Sequence, residues 1–563
     1  MKLANSICLI LITFSSLSQT NIPEDYFRSP LDIPMQLSGN FGEMRPNHFH
    51  AGFDFKTQQK EGLNVYAVAD GYISRIKIST YGYGKAIYIT HPNGYTSVYG
   101  HLQRGVGFIQ DKIVQMQYAE KSYEIEVFFK SGELQVKKGD VIAISGNTGG
   151  SEGPHLHFEF RENQTEHIVN PLLFGFDLKD SKKPMVSSLM VYPIDFSSVV
   201  NKSKQALALN LSLQPDGTYI AEKVAATGKI GFGIATFDYD DVSFNRNGTY
   251  KTKLIENGKT IFGYEFDKMS FDEGRYINAF IDYERYRRSR LRIQKLFQIN
   301  PFPLMNIKQN FGGGIINILP NYHETNQIEV SDFNGNKTII TIPIMYEESK
   351  IEIPSQEKPS KYFIKYKNEA NFEIENYSIY FPANTFYEDF NINVYTKNGS
   401  IFLHDDTVPV HSNFTISVDN PLITTDQSKY FIASVNGNRL GYNATKLQGT
   451  TFSCRTRSFG EYKLVKDSTN PTIRISKSIE GKWISSQKTI VFYIGDDLSG
   501  VDTYNGYING EWVLLEYESK LKRLTHVFDS KYLQEGSNNL KVVVTDNVGN
   551  STIFETQFNR SQK

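Results

Sequence analysis

The run Gly146-Asn147-Thr148-Gly149-Gly150-Ser151-Glu152-Gly153-Pro154-His155-Leu156-His157-Phe158-Glu159-Phe160 decides how this chain is read. It ends in an alternating stretch, His-Leu-His-Phe-Glu-Phe, and a period of two is the pattern of a strand. Side chains at i and i+2 leave the same face of a strand, so His155 and His157 project side by side. The glycines before them supply a tight turn and keep bulk away from that face. Two histidines on a strand can be no more than polar surface. Two upstream clusters change the weight: His50-Ala51-Gly52-Phe53-Asp54, and His101 within Tyr99-Gly100-His101-Leu102. Histidines and a carboxylate gathered from separate segments have the ligand chemistry of a zinc site with an open position.

The histidines are not scattered. Of the 11 in the chain, seven (His48, His50, His91, His101, His155, His157 and His167) fall within residues 48–167. Thiolate ligands are excluded. One of the two cysteines, Cys8, lies in an apolar run that reads as the core of a secretory signal over residues 1–18, which leaves Cys454 alone and no internal disulfide. The expected mature chain begins at Gln19 and carries no later run long and apolar enough to span a membrane. It is therefore expected in the periplasm or outside the cell. A formal net charge of −1 gives no broad basic field for nucleic acid.

At 563 residues the chain needs several cores, and 13% aromatic residues with abundant Ile, Val and Thr favour strands. The expectation is a mainly β protein: an N-terminal antiparallel β domain, then about three β-sandwich-like units. Residues 19–40 read as an extended lead-in and 41–179 as the first domain. Within it, Asp70-Gly71, Pro92-Asn93-Gly94 and Gly139-Asp140 each read as a hairpin turn between strands. Residues 103–135 look like an insertion that follows His101, with a strand pattern at 123–129. It reads either as a wall of a groove or as a surface hairpin. Residues 185–346, 362–465 and 467–558 read as further β units, separated by linkers at 180–184 and 347–361. The first and last share Asp-x-x-Gly-Asn, at 332–336 and 546–550, and an acidic pair followed by Asn-Gly. These turns resemble those of the immunoglobulin-like modules of secreted bacterial proteins. Asp496 and Asp497 suit either calcium or turn chemistry, and turn chemistry is the plainer reading. The unit at 362–465 carries no motif with a name.

Taken in order, Phe41-Gly42, His50-x-x-x-Asp54, Val65-Tyr66-Ala67, Tyr99-x-His101-Leu102 and Gly153-Pro154-His155-Leu156-His157-Phe158-Glu159 resemble the lysostaphin/LytM-type zinc endopeptidases that cut cell-wall peptides. The resemblance covers residues 38–176. It implies a small antiparallel β fold with the site in a groove along one sheet. It implies His50, Asp54 and His157 as ligands of one zinc per chain, His101 and His155 as catalytic histidines, and peptidoglycan peptides as substrate. Three protein ligands leave one tetrahedral position for water, whose pKa zinc lowers to about 7. The unligated histidines can accept a proton, stabilise an oxyanion or protonate a leaving amine, and the sequence does not divide these roles between them. Glu159 is either a partner that orients a histidine or a surface carboxylate. Asn47 stands near the first ligand, and some relatives fill the fourth position with an asparagine. His48 and His91 read as structural or exposed, and Tyr99 as core or groove. No member of the catalytic set lies beyond residue 180. Two other readings stay open: a non-catalytic protein that binds cell wall or regulates another hydrolase, and a surface adhesion protein whose β units do the work.

Overall fold

The computed structural model describes residues 26–176, 178–348, 362–529 and 531–561; the expected secretory signal and most of the linker before residue 362 lie outside them. Among the described residues the regular elements are nearly all strands, with a few short helices. The main sheet of the first domain runs, in spatial order, through Leu37–Gly39, Phe53–Lys56, His155–Glu162, Tyr95–Gly100, Lys85–Thr90, Gly71–Ile78 and Ile125–Phe128, all antiparallel. A smaller sheet, Asn64–Tyr66, Val141–Ser145 and Leu102–Gly105, lies apart from it. Alternation explains the central strand. Leu156, Phe158 and Phe160 are fully buried in the apolar core beneath the sheet, while His155, His157, Glu159 and Arg161 leave the other face.

Of the three expected hairpins, Lys85–Thr90 and Tyr95–Gly100 form one. The other two turns connect different sheets. Asn64–Tyr66 pairs with Val141–Ser145, whereas Gly71–Ile78 pairs with Lys85–Thr90, so Asp70-Gly71 carries the chain from the small sheet to the large one. Gln135–Val136 likewise pairs with Gly71–Ile78 and not with Val141–Ser145. The turn residues reverse the chain as expected, but the strands bury their faces in different layers.

The insertion holds its strand, Ile125–Phe128, and also a helix, Phe108–Glu120, that buries Ile109, Ile113 and Gln117. Beyond the first domain, a 13-stranded sheet spans residues 185–346, organised on the long strand Val224–Phe237. The segment at 180–184 does not separate one core from another. A single cluster of buried side chains runs from Phe27 to Ile344, and Lys268–Met269 adds a strand beside Ile168–Val169 at the edge of the first domain's sheet. Residues 362–466 form two five-stranded sheets around a core that includes Phe381, Phe414 and Tyr462. The last unit is two four-stranded sheets around Phe492, Val542 and Phe558. It folds back onto the first domain, where Tyr118 of the insertion helix meets Trp512 edge-on at 5.4 Å and donates to Asp529 at 3.2 Å. Among the described residues no helix is long and apolar enough to cross a membrane.

Candidate functional site

Register sets the site. On the central strand His157 lies opposite Asp54 on one neighbour and Gly100 on the other. Directly paired residues share a face of a sheet, so the Asp54 carboxylate and the His157 ring meet, and His101 follows immediately after Gly100. Gly52 lets the segment bearing His50 reach them, because a Cβ there would sit 2.0 Å from the Phe158 carbonyl oxygen. His50 Nε2, His157 Nδ1 and Asp54 Oδ1 converge: 3.0 Å from His50 to Asp54, 2.9 Å from His157 to Asp54 and 3.2 Å between the histidines. Arg45 binds the second oxygen of Asp54 at 3.2 Å.

Each imidazole is oriented by its other nitrogen. His50 Nδ1 donates to the Asn40 carbonyl at 2.7 Å, His101 Nδ1 to Thr148 at 2.8 Å and His155 Nδ1 to Gly153 at 2.8 Å. These bonds turn Nε2 of all three inward as an acceptor. His157 is reversed: Nε2 donates to Glu159 at 2.8 Å and Nδ1 faces inward. Glu159 is fully buried and is held by Arg161 at 2.8 Å and by the Tyr83 hydroxyl, while the Tyr83 ring stacks on His157 at 4.9 Å. The chain Arg161–Glu159–His157 is the outer partner set typical of a metal-ligating histidine.

The two carboxylates draw positive charge into the site. Burial opposes charge on His157, but Asp54 and Glu159 outweigh it and raise its pKa to about 9. Burial also pushes Glu159 up, and Arg161, His157 and Tyr83 overcome it to hold the acid at about 2. Asp54 is held well below the usual carboxylate range by its three histidines, again against burial. His101 is pushed down to about 3 by burial and by the neighbouring His157 and His155, which keeps it a neutral acceptor. Two nitrogens and one carboxylate oxygen, each backed by an outer partner, are the donor chemistry of zinc. Their spacings lie within half an ångström of the ~3.3 Å that separates tetrahedral ligands with bonds of ~2.0–2.1 Å. The residues fit the metal.

The groove over this floor measures about 990 Å³. All five expected site residues line it, with Tyr83, His48 and the loop from Gly150 to Pro154 on its walls. His101 and His155 lie edge to face at 4.7 Å, and His155 Nε2 is 3.4 Å from Asp54. His101 has φ 57°, a left-handed value uncommon outside glycine, and is pinned there by its N–H bond to the Tyr83 carbonyl at 2.8 Å. Asn47 is not among the lining residues and accepts from Asn278 at 3.1 Å. His91 is buried between the Asp70 carbonyl and Ser97, and Tyr99 is buried with its hydroxyl on Val68 N–H, so both belong to the core.

Sequence reasoning missed Tyr83, Arg161 and Lys520. Arg161 was within reach, since it continues the alternation His155, His157, Glu159 on one face. Lys520, from the last unit, donates to the carbonyl oxygens of Asn147 at 2.5 Å and Ser151 at 2.7 Å, so a distant segment of the chain holds the loop that walls the groove.

Residues 48–119 and 110–171 match the model of Peptidase family M23, and residues 361–467 match that of the Zu5-like domain. An uncharacterized metalloprotease of Haemophilus influenzae is 37% identical over 156 residues, 26% of each chain. A DD-carboxypeptidase/endopeptidase of Neisseria meningitidis is 36% identical over 123 residues, 22% of each chain. The peptidoglycan DD-endopeptidase ShyC of Vibrio cholerae is 31% identical over 144 residues, 24% of this chain and 27% of its own. The chain thus spans about a quarter of the length of the curated relatives it matches.

Proposed function

From a first domain that is a family M23 peptidase domain, we propose that the protein is a zinc endopeptidase acting outside the cytoplasm on the peptide cross-links or stems of peptidoglycan. His50, Asp54 and His157 hold one zinc, and His101 and His155 are the catalytic histidines. The observation that carries this reading is the shared aim of five side chains: three donor atoms within 3.2 Å of one another, and two further imidazoles whose Nδ1 bonds turn Nε2 into the same groove. The substrate class is taken from the relatives named as peptidoglycan DD-endopeptidases.

When bound, zinc supplies a Lewis acid and lowers the pKa of a coordinated water to about 7. The chain's own residues do the rest. Glu159 and Arg161 fix the His157 ring so that Nδ1 faces the groove, and Asn40 does the same for Nε2 of His50. His101, neutral and with Nε2 free, is set to accept a proton or to donate one once charged. His155, held by Gly153, places a second nitrogen beside Asp54 and, once that nitrogen carries a proton, can donate to the charge developing on the scissile carbonyl oxygen. The open, polar groove suits an extended peptide.

The test is mass spectrometry of cross-linked muropeptides incubated with the zinc-loaded protein. Scission of a peptide bond that is lost on chelation and restored by zinc is expected. Metal-free protein with undiminished hydrolysis would overturn the reading.

A further inference from the structure

The joint between the first domain and the next β unit carries a second cluster, separate from the groove. Asp180 of the connecting segment, Asp238 just after the strand Val224–Phe237 and Asp332 just after the strand His323–Ser331 each place a carboxylate oxygen within 4.8 Å of the others. They line a cavity of about 40 Å³ together with Asn247. The ammonium of Lys182 is bonded to the main-chain carbonyl of Asp240 at 2.6 Å and pairs with none of the three. Burial and then mutual repulsion raise Asp238 to about 8 and Asp180 to about 6, and burial raises Asp332.

Asn247 points to what the cluster lacks. It is 6% exposed and donates its amide N–H to Asp240 at 3.1 Å, which leaves its Oδ1 buried with no hydrogen-bond partner. Asp238 and Asn247 exchange main-chain hydrogen bonds of 2.9 Å in both directions, so their side chains leave the same face, over the same cavity. An amide oxygen set against three carboxylates is repelled by them, whereas a cation makes all four into ligands. Oxygens bound to one calcium at ~2.3–2.6 Å lie no more than about 5 Å apart, a limit the three carboxylates meet, and Asn247 lines the same cavity.

We propose that Asp180, Asp238, Asp332 and Oδ1 of Asn247 bind one hard divalent cation of the calcium class. All-oxygen donors select such an ion over zinc. The last unit repeats the frame and gives a control. Asp-Ser-x-x-Pro occurs at 180–184 and at 467–471. Thr338 donates to the Pro184 carbonyl at 2.6 Å as Thr552 does to Pro471 at 2.5 Å, and Asn336 and Asn550 each bind the carboxylate four residues before them at 2.7 Å. Asp467, Asp496 and Asp546 converge there as well. In that copy, however, four N–H groups serve the first two carboxylates: Thr469 and Ser499 bind both oxygens of Asp467, and Leu498 and Gly500 bind one oxygen of Asp496, the other being buried without a partner. At the joint Asp180 and Asp238 accept one N–H each, from Lys182 and Tyr239, which leaves more of the charge there for a cation. The cation also has a route to the groove. Gly248, next to Asn247, exchanges both main-chain bonds with the Asn40 side chain at 2.8 and 2.9 Å, and the Asn40 carbonyl holds His50. The binding proposal itself stands apart from the zinc reading.

Full-length, zinc-loaded protein is titrated with Ca²⁺ by calorimetry and with Tb³⁺ by luminescence sensitised through Tyr250, which lines the cavity. We expect Ca²⁺ binding at about 1 mM or tighter, the range of extracellular modules, and displacement of Tb³⁺ by Ca²⁺. Asp238→Asn should weaken it at least tenfold, and Asp496→Asn should leave it unchanged. Should Asp238→Asn lose its fold by circular dichroism, Asp332→Asn decides in its place. No Ca²⁺ binding in the native chain, or binding that survives loss of the joint carboxylate and falls with Asp496→Asn, overturns the proposal.

Discussion

Across the floor of the groove, Asp54, His157 and Gly100 lie abreast on three hydrogen-bonded strands, whereas the rim loop is held by Lys520, 369 residues along the chain from the Ser151 carbonyl it binds. The floor is fixed by register, and shifting one of these strands by one residue would turn its proposed ligand away from the groove. The rim is held by an exposed ammonium on two carbonyls and by scattered loop bonds such as Gly150 N–H to the Gly82 carbonyl at 2.8 Å. The floor should therefore be brittle to single substitutions and the rim tolerant of them.

The largest effect should come from breaking the floor at its centre. Asp54→Ala removes one of three donors and leaves Arg45 without its buried partner, so zinc content and turnover should vanish together; metal analysis beside a muropeptide assay checks this. The next largest is His101→Ala, which leaves the donor set whole. It should keep about one zinc per chain while turnover falls roughly 10²–10³-fold, the scale of a general acid–base or oxyanion group. Glu159→Gln leaves a hydrogen-bond acceptor for His157 but removes the charge that Arg161 pairs with. Zinc affinity should fall about 10–100-fold, the usual cost of losing an outer partner, measured by competition with a chelator. The smallest effect belongs to the rim. An exposed charge contact is worth about 1 kcal/mol or less, so Lys520→Ala should raise KM about 2–5-fold and leave zinc affinity and kcat unchanged. A loss of zinc in Lys520→Ala would collapse the distinction between floor and rim.

The same contrast decides how far the first domain can be separated. The five proposed site residues lie within residues 50–157, but a chain ending at Lys179 would lose Phe266, Met269 and Phe280, which share the buried cluster with Phe49 and Phe158. The first domain is fused to its neighbour by a common core and braced by the last unit.

What was legible in the sequence follows the same line. Alternation put His155, His157 and Glu159 on one face because a period of two is a local property. Carried one step further, it reaches Arg161. Tyr83 stands in a loop with no periodic sign and arrives over His157 by tertiary packing alone. Asp70-Gly71 and Gly139-Asp140 announced turns, but turn chemistry does not say which strand the chain joins next, and both carry it between sheets. The helix Phe108–Glu120 buries only Ile109, Ile113 and Gln117, a narrow stripe that includes an amide and leaves little apolar periodicity to read. Residues 362–465, which carry no motif with a name, match the Zu5-like family model at 361–467.

The assignment of ligand and catalyst turns on two residues of one strand face, His155 and His157, that alternation alone treats alike. The structure distinguishes them by orientation: Nδ1 of His157 faces the other donors with Glu159 behind the ring, whereas His155 turns Nε2 inward from the Gly153 carbonyl. The decisive measurement is zinc stoichiometry beside turnover for His155→Ala and His157→Ala in the full-length protein. About one zinc and a turnover reduced roughly 10²-fold or more are expected for His155→Ala, and neither zinc nor turnover for His157→Ala. If His155→Ala loses the metal while His157→Ala keeps it, the roles are exchanged and the triad of His50, Asp54 and His157 is wrong.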